Sequence, residues 1–226
     1  MKKYLILSSK IWNKDMFASF QSDDHNSNWN FINDKNEFNL ENIKKINPTK
    51  IFIPHWSYII PEEIYNSYEC IVFHMTDLPF GRGGSPLQNL ISRGLEDTKI
   101  SALKVVKEID AGDIYLKKDL NLNGTAEEIF IRANKIIFQM IKEIINLNII
   151  PEKQAGKVIS FKRRTLDMSN VEDIEDIEIM FNHIRMLDAA GYPNAYIETK
   201  NFRLEFNRAS LKADKQIIAD VRIIQK

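Results

Sequence analysis

The chain has 226 residues, and its 31 lysines and arginines balance 31 aspartates and glutamates, so the formal net charge is zero. With 44% hydrophobic and 27% charged residues, the composition excludes wholesale disorder, and the zero balance argues against a protein gripping nucleic acid through excess cation. A single cysteine, Cys70, excludes an intramolecular disulfide and makes a reducing, cytoplasmic setting the expectation.

Met1-Lys2-Lys3 before the apolar run Tyr4 to Leu7 looks superficially like a signal peptide, but Ser8-Ser9-Lys10 end it early. A first β-strand, Lys3 to Leu7, is the better reading. Trp29 to Ile32 gives a second strand inside an Asn-rich stretch. Leu40 to Ile46 has helical spacing and stops before Pro48. Lys50 to Pro54 is a third strand, and Pro61-Glu62-Glu63 opens a helix. Cys70 to Phe73 is a fourth, fully apolar strand. Ser85-Pro86 starts another helix, with Ser85 as N-cap and Leu87, Leu90 and Ile91 on one face. Ile100 to Ile109 and Ile114 to Leu122 read as a hairpin around Asp110-Ala111-Gly112-Asp113. Thr125 and Glu128 form a capping box for a long helix to about Asn146. Its most apolar part, Ile136 to Ile150, is broken by Gln139, Lys142, Glu143, Asn146 and Asn148, so no membrane span is expected. Ile150 to Gly156 reads as a linker. Beyond it, Val171 to Ala190 reads as an amphipathic helix, followed by short strands at Ala195 to Ile197, Phe202 to Phe206 and Ile217 to Ile224. The alternation predicts an α/β domain with a mainly parallel sheet over 1–150 and a small α+β subdomain over 151–226. The subdomain's strands either fold back on their own chain or pair across a homodimer.

Chemistry concentrates in Phe73-His74-Met75-Thr76-Asp77-Leu78-Pro79-Phe80-Gly81-Arg82-Gly83-Gly84-Ser85-Pro86-Leu87-Gln88. A histidine ends a buried strand, a Pro/Gly-rich loop follows, and a helix begins. Open α/β sheets bind ligands at the carboxyl ends of their strands. Phe73 should face away from His74, since strand neighbours alternate faces. Asp110, in a second tight turn, is a carboxylate available to the imidazole.

His74, Leu78, Pro79, Arg82, Gly83, Pro86 and Gln88, followed by Asp110, Gly112, Asp113 and Ile114, resemble the motif of the formyltransferases that use 10-formyltetrahydrofolate. In the tail, Arg163-Arg164-Thr165, Ile184 to Asp188 and Gly191-Tyr192-Pro193 are similar to the small C-terminal subdomain of several members. The combination most resembles short bacterial sugar N-formyltransferases of pseudaminic-acid type. The resemblance implies a Rossmann-like formyltransferase domain and formyl transfer from 10-formyltetrahydrofolate to the amine of a nucleotide-linked amino sugar. It implies His74 and Asp110 as catalytic residues. No metal is expected, since the nucleophile is a neutral amine and the formyl group is already activated; no nucleic-acid partner is expected from the zero net charge and the short tail, and no membrane partner.

Acyl transfer to an amine needs a proton acceptor and an oxyanion donor. The family usually places an asparagine two residues before the histidine as that donor; here the position is Val72, which cannot donate. His55, at the end of the neighbouring strand, is the favoured replacement, with Thr76, Gln88 and a glycine-loop N–H as alternatives. By position in the family, the folate ring falls to the main chain of Tyr58, Ile59 and Ile60 and of Val105, Val106 and Ile109. The acceptor falls to Ser9, Lys10, Asn13, Thr76 and Arg82. Residue types alone leave Arg82 between a solvated cation and a group that fixes the loop or a ligand anion, Trp12 and Trp56 between core and ring stacking, and His25 and His183 without a role. Cys70 reads as a core hydrophobe. A non-catalytic folate or sugar-nucleotide binding module and a formyl-folate hydrolase remain the rival readings.

Overall fold

The structure is a computed structural model describing residues 1–10, 13, 14, 17, 18, 21 and 26–226. Trp12 and His25 lie outside the described residues. Strands β1 (Lys2–Leu7), β2 (Ser27–Ile32), β3 (Lys50–Ile53), β4 (Glu69–His74), β6 (Asp97–Lys104) and β7 (Ile114–Asn121) form one sheet in the order β2-β1-β3-β4-β6-β7. The first four run parallel to their neighbours, and β6 lies antiparallel to β4. The carboxyl ends of β1, β2, β3 and β4 therefore share one edge, and His74 is the last residue of β4. Leu5, Ile6, Leu7, Ile51 and Phe52 are all fully buried, as expected of parallel strands covered on both faces. This is the expected α/β fold with a mainly parallel sheet.

By contacts the chain divides into two compact units that interleave in sequence: 1–82 with 99–118 and 134–158, and 83–98 with 119–133 and 159–226. The division expected at residue 150 follows sequence order; the units follow packing. In the first unit, Leu5, Leu7, Ile32, Phe38, Ile43, Ile51, Ile53, Ile64 and Cys70 make one apolar core. Helix α1 (Leu40–Ile46) contributes Ile43 and is capped by Asn39, whose side chain accepts from the Asn42 N–H. Helix α2 (Glu62–Tyr65) is a single turn that buries Ile64. Cys70 behaves as a core residue; burial pushes its thiol up to about 12.

The expected hairpin is shorter on its first side. β6 stops at Lys104 rather than Ile109, and residues 105–113 form a loop. The cause is the partner: β4 begins at Glu69, and the last bond available runs from the Val105 N–H to the Cys70 carbonyl, 2.9 Å. A short strand β5 (Phe80–Gly83) appears within the glycine loop.

In the second unit, α3 (Pro86–Ile91) has proline at its start, as expected. Ser85 precedes it at φ 51 but makes no side-chain cap; its Oγ accepts instead from the Arg164 N–H, 3.1 Å. The long helix α4 (Ala126–Asn146) opens on the expected capping box. The Glu128 N–H donates to Thr125 Oγ1 at 3.3 Å, and the Thr125 N–H donates to Glu128 Oε2 at 2.8 Å. Strand β8 (Ile159–Phe161) follows. The helix expected over Val171 to Ala190 is only α5 (Ile177–Arg185). Asp176 sets its start, because its carboxylate accepts from the Glu178 and Ile179 N–H groups, both 2.9 Å. Upstream, the Val171 N–H donates to the Tyr196 carbonyl, 2.9 Å, which holds that stretch extended. Strands β9 (Ala195–Glu198), β10 (Phe202–Lys212) and β11 (Gln216–Gln225) fold back on their own chain as an antiparallel sheet. β10 and β11 run longer than expected, with a register shift between Asn207 and Ser210.

Asp176→Ala removes both cap bonds of α5 and should cost about 1 kcal/mol, the usual worth of an N-cap. Urea denaturation measures it; an unchanged midpoint would refute the assignment of Asp176 as the residue that starts this helix.

Candidate active site

His74 is held from both sides. Its Nε2 lies 2.7 Å from the Gly81 carbonyl oxygen, and its Nδ1 lies 3.6 Å from Asp110 Oδ2. A carbonyl oxygen only accepts, so Nε2 must carry the proton of that bond. In the neutral ring, Nδ1 is then a lone pair aimed at a carboxylate. Two acceptors face each other across a gap that one proton on Nδ1 would bridge. Both side chains are largely buried, 9% and 15% exposed, which strengthens any charge interaction between them. The sequence expectation that an imidazole and a carboxylate 36 positions apart meet is thus met geometrically.

Each partner has its own scaffold. The Ser101 hydroxyl donates to the Thr76 carbonyl at 2.7 Å and accepts from the Leu78 N–H at 3.3 Å. Lys117 Nζ donates to Asp77 Oδ1 and to the Leu78 carbonyl, each at 2.5 Å. These bonds fix the chain between His74 and Gly81. Asp110 has φ 54, a left-handed conformation that aspartate tolerates better than most non-glycine residues. Two residues on, a Cβ on Gly112 would lie 1.7 Å from the Lys104 carbonyl oxygen, so the turn closes only over glycine. Gln154 Nε2 donates to the Asp110 and Gly112 carbonyls, both 2.8 Å. Its Oε1 accepts from Arg82 Nε at 3.1 Å and Nη2 at 2.7 Å. Sequence reading missed Gln154, which fell in the presumed linker. Its only signal is tertiary, since Glu152 pairs with Ile114 across the turn.

The other expected site residues separate. Arg82 is a loop anchor through Gln154 rather than a free cation for substrate. Thr76 is fully buried, 3.5 Å from the Gly81 carbonyl, so it is not offered to an acceptor. Asn13 is also fully buried; its Nδ2 donates to Ser8 Oγ at 2.7 Å, and its Oδ1 accepts from Asn134. That removes it from the acceptor set. The Ser9 hydroxyl donates to the His55 carbonyl, 2.9 Å. Lys10 remains partly exposed, its ammonium pKa lowered by desolvation. Gln88 is buried and donates to the Met186 carbonyl, 3.2 Å.

His55 sits two residues beyond the paired position Ile53–Val72, at φ 55. Burial lowers its pKa to about 4, helped by the nearby Lys10 charge and opposed by a hydrogen bond to Asn134. The ring is therefore neutral at physiological pH and keeps one N–H as a donor.

At the folate segments, Ile59, Ile109 and Tyr58 are 87%, 68% and 47% exposed. Large apolar side chains projecting from two loops suit a flat heteroaromatic ring. Ile60, in contrast, is buried in the core. The Val105 N–H is already bonded to Cys70, so neither that side chain nor that N–H is free for a ligand. Val106 is half-buried beside them. Among the described residues, no group of three or more His, Cys, Asp or Glu side chains is arranged to hold a metal ion, and no helix is long and apolar enough to cross a membrane.

Comparison with known proteins now adds a finding. A structure described as methionyl-tRNA formyltransferase from Clostridium thermocellum is 50% identical, covers 100% of both chains and superposes with a TM-score of 0.97. The chain belongs to the formyltransferase family. The model of the methionyl-tRNA formyltransferase C-terminal domain matches residues 166–224. The methionyl-tRNA formyltransferase of Rickettsia prowazekii is 32% identical over 136 residues, 58% of this chain and 45% of that protein. The chain thus spans about half the length of the curated relatives it matches. A sugar N-formyltransferase from Shewanella shares the fold, with a TM-score of 0.66 over 97% of this chain and 96% of its own, at 17% identity. The expected nearest likeness to sugar enzymes is therefore corrected: their likeness is one of fold, while the high-identity match carries the methionyl-tRNA name.

His55 also makes a stability prediction. The unfolded ring titrates near 6.5 and the folded one near 4, so between those values the unfolded state binds more protons. Stability should fall as pH drops through that window. In urea unfolding at pH 7 and pH 5, His55→Gln should lose less stability on acidification than the parent; equal losses would contradict a buried neutral His55.

Proposed function

We propose that this protein transfers a formyl group from 10-formyltetrahydrofolate to a primary amine. The observation that carries the reading is the His74–Asp110 pair, with one ring nitrogen fixed by Gly81 and the other facing the carboxylate. The folate supplies an already activated formyl group, so the chain's own task is to bind, orient and move protons. Tyr58, Ile59 and Ile109 hold the ring side, with the main chain of Ile60 and Val106 beside them. His74 Nδ1 and Asp110 share the proton that the attacking amine gives up, so positive charge need not build on the nitrogen. The neutral His55 ring replaces the asparagine absent at Val72 as donor to the developing oxyanion, as neutral imidazoles do elsewhere. Lys10 and Ser9 line the acceptor's approach.

Two acceptors have support. Methionyl-tRNA is favoured by the name of the 50% identical structure. A nucleotide-linked amino sugar is favoured by the zero net charge, because tRNA binding gains much of its affinity from cations set against phosphates. The single buried thiol suits a cytoplasmic setting for either.

The purified protein should be incubated with 10-formyltetrahydrofolate and either methionyl-tRNA or a panel of nucleotide amino sugars. Folate-dependent gain of one formyl mass on one acceptor class is expected. His74→Ala and Asp110→Asn should each lower kcat by about 10²-fold or more while folate binding persists. His55→Ala should cost on the order of 10²–10³ in kcat. Formate release without acceptor would instead indicate a hydrolase, and folate binding without any turnover would indicate a binding module.

A further inference from the structure

We infer that Gln154 is a positioning residue that aims the Asp110 carboxylate at His74, acting as a clamp between Arg82 and the Asp110–Gly112 turn. The inference deepens the proposed formyl-transfer site and rests on that reading for its kinetic arm.

The clamp has a fixed polarity. Arginine only donates, so the two Arg82 bonds force the Gln154 carbonyl oxygen toward the guanidinium. The amide nitrogen must then face the turn, and its two hydrogens meet the Asp110 and Gly112 carbonyls. Both carbonyls are held by one side-chain atom, which sets the orientation of the intervening peptide units. This steadies Asp110, whose left-handed backbone carries some cost even for an aspartate. The Ala111 N–H reaches back to the Glu108 carbonyl at only 3.3 Å, while the Lys104 N–H holds the Asp113 carbonyl at 2.9 Å. The far end of the turn is tied to β6, and Gln154 holds the carbonyl of Asp110 at the near end. Gln154 touches neither imidazole nor carboxylate; it works through the backbone that carries the carboxylate. A shift of about 1 Å at such a group can cost about 10²-fold in rate.

Arg82 is the other half of the clamp. Without it the two turn carbonyls still select the amide nitrogen, but the oxygen end of Gln154 loses its hold and the side chain its fixed position. The arginine in the glycine loop and the glutamine beyond the long helix are thus one device, 72 positions apart.

Two variants separate the halves. Gln154→Ala removes the clamp. Gln154→Glu keeps the size and the Arg82 contact, but a carboxylate cannot donate to the turn carbonyls. Both should lower kcat about 10-fold to 10²-fold while KM for 10-formyltetrahydrofolate stays within about two-fold, since the residue holds no ligand. The side-chain ¹⁵N shifts of His74, which report how the proton divides between its ring nitrogens, should move in both variants. That measurement needs no substrate, so it tests the clamp even if wild-type turnover with the chosen acceptors were absent and the functional reading failed. Should alanine unfold the chain, the glutamate variant carries the test. His74 shifts identical to wild type in a folded variant would overturn the inference. So would a Gln154→Glu enzyme with wild-type kcat, which would leave Gln154 only a partner for Arg82.

Discussion

The site depends on a single constraint: both ring nitrogens of His74 are faced, Nε2 by the Gly81 carbonyl and Nδ1 by Asp110. Its Nε2 is committed to the Gly81 carbonyl, so the chemistry of the ring is left to Nδ1, and Nδ1 faces one carboxylate. Everything around it preserves that arrangement. The glycine loop turns back so that its carbonyl reaches the ring, Ser101 and Lys117 tie down the chain leading to it, and the Asp110 turn is closed over Gly112. A histidine free to flip would present either nitrogen to solvent and lose its fixed relation to the carboxylate.

The fold supplies this constraint cheaply. β4 lies between β3 and β6, and its end is where the parallel half of the sheet meets the antiparallel half. Ligand sites favour the carboxyl ends of such strands. β6 leaves the sheet beside the start of β4, with the Val105 N–H on the Cys70 carbonyl, so the 105–113 loop has to fold back toward the β4 end to bring a carboxylate far away in sequence to the imidazole. The same edge carries His55, kept neutral by burial, next to the buried polar group of Ser8, Asn13 and Asn134. One strand edge therefore offers two imidazoles in different environments, one facing a carboxylate and one stripped of solvent. Such divergence is how a site assigns separate proton and dipole roles to the same residue type.

Much of this was legible in the sequence, for physical reasons. Short, fully apolar runs such as Tyr4 to Leu7 and Cys70 to Phe73 have few alternatives to buried strands, and the Thr125–Glu128 capping box announces its helix unambiguously. His74 and Asp110 stood out because glycines and prolines around them marked turns. What escaped was set by tertiary partners. The Val105 to Ile109 run has strand-like composition, but β4 offers it no partner beyond Val105. The start of α5 depends on an Asp176 cap that the surrounding acidic residues conceal. Asn13 and Thr76 looked like site residues from their positions, yet burial and internal hydrogen bonds claim them. Gln154 carried no local signal, since its contacts lie 42 to 72 positions away. Family resemblance identified the family, but its leaning toward sugar enzymes was not what identity over the full chain favours.

A crystal structure of the protein with a non-transferable formyl-folate analogue and an amine acceptor tests the central claim most directly. The account predicts the pterin between the 58–60 and 105–109 segments. The acceptor's amine should lie within hydrogen-bond reach of His74 Nδ1 or Asp110 and beside the formyl carbon, with the His74–Gly81 bond intact. A folate bound elsewhere, or a His74 ring turned away from Gly81 and Asp110 in the loaded enzyme, would contradict it.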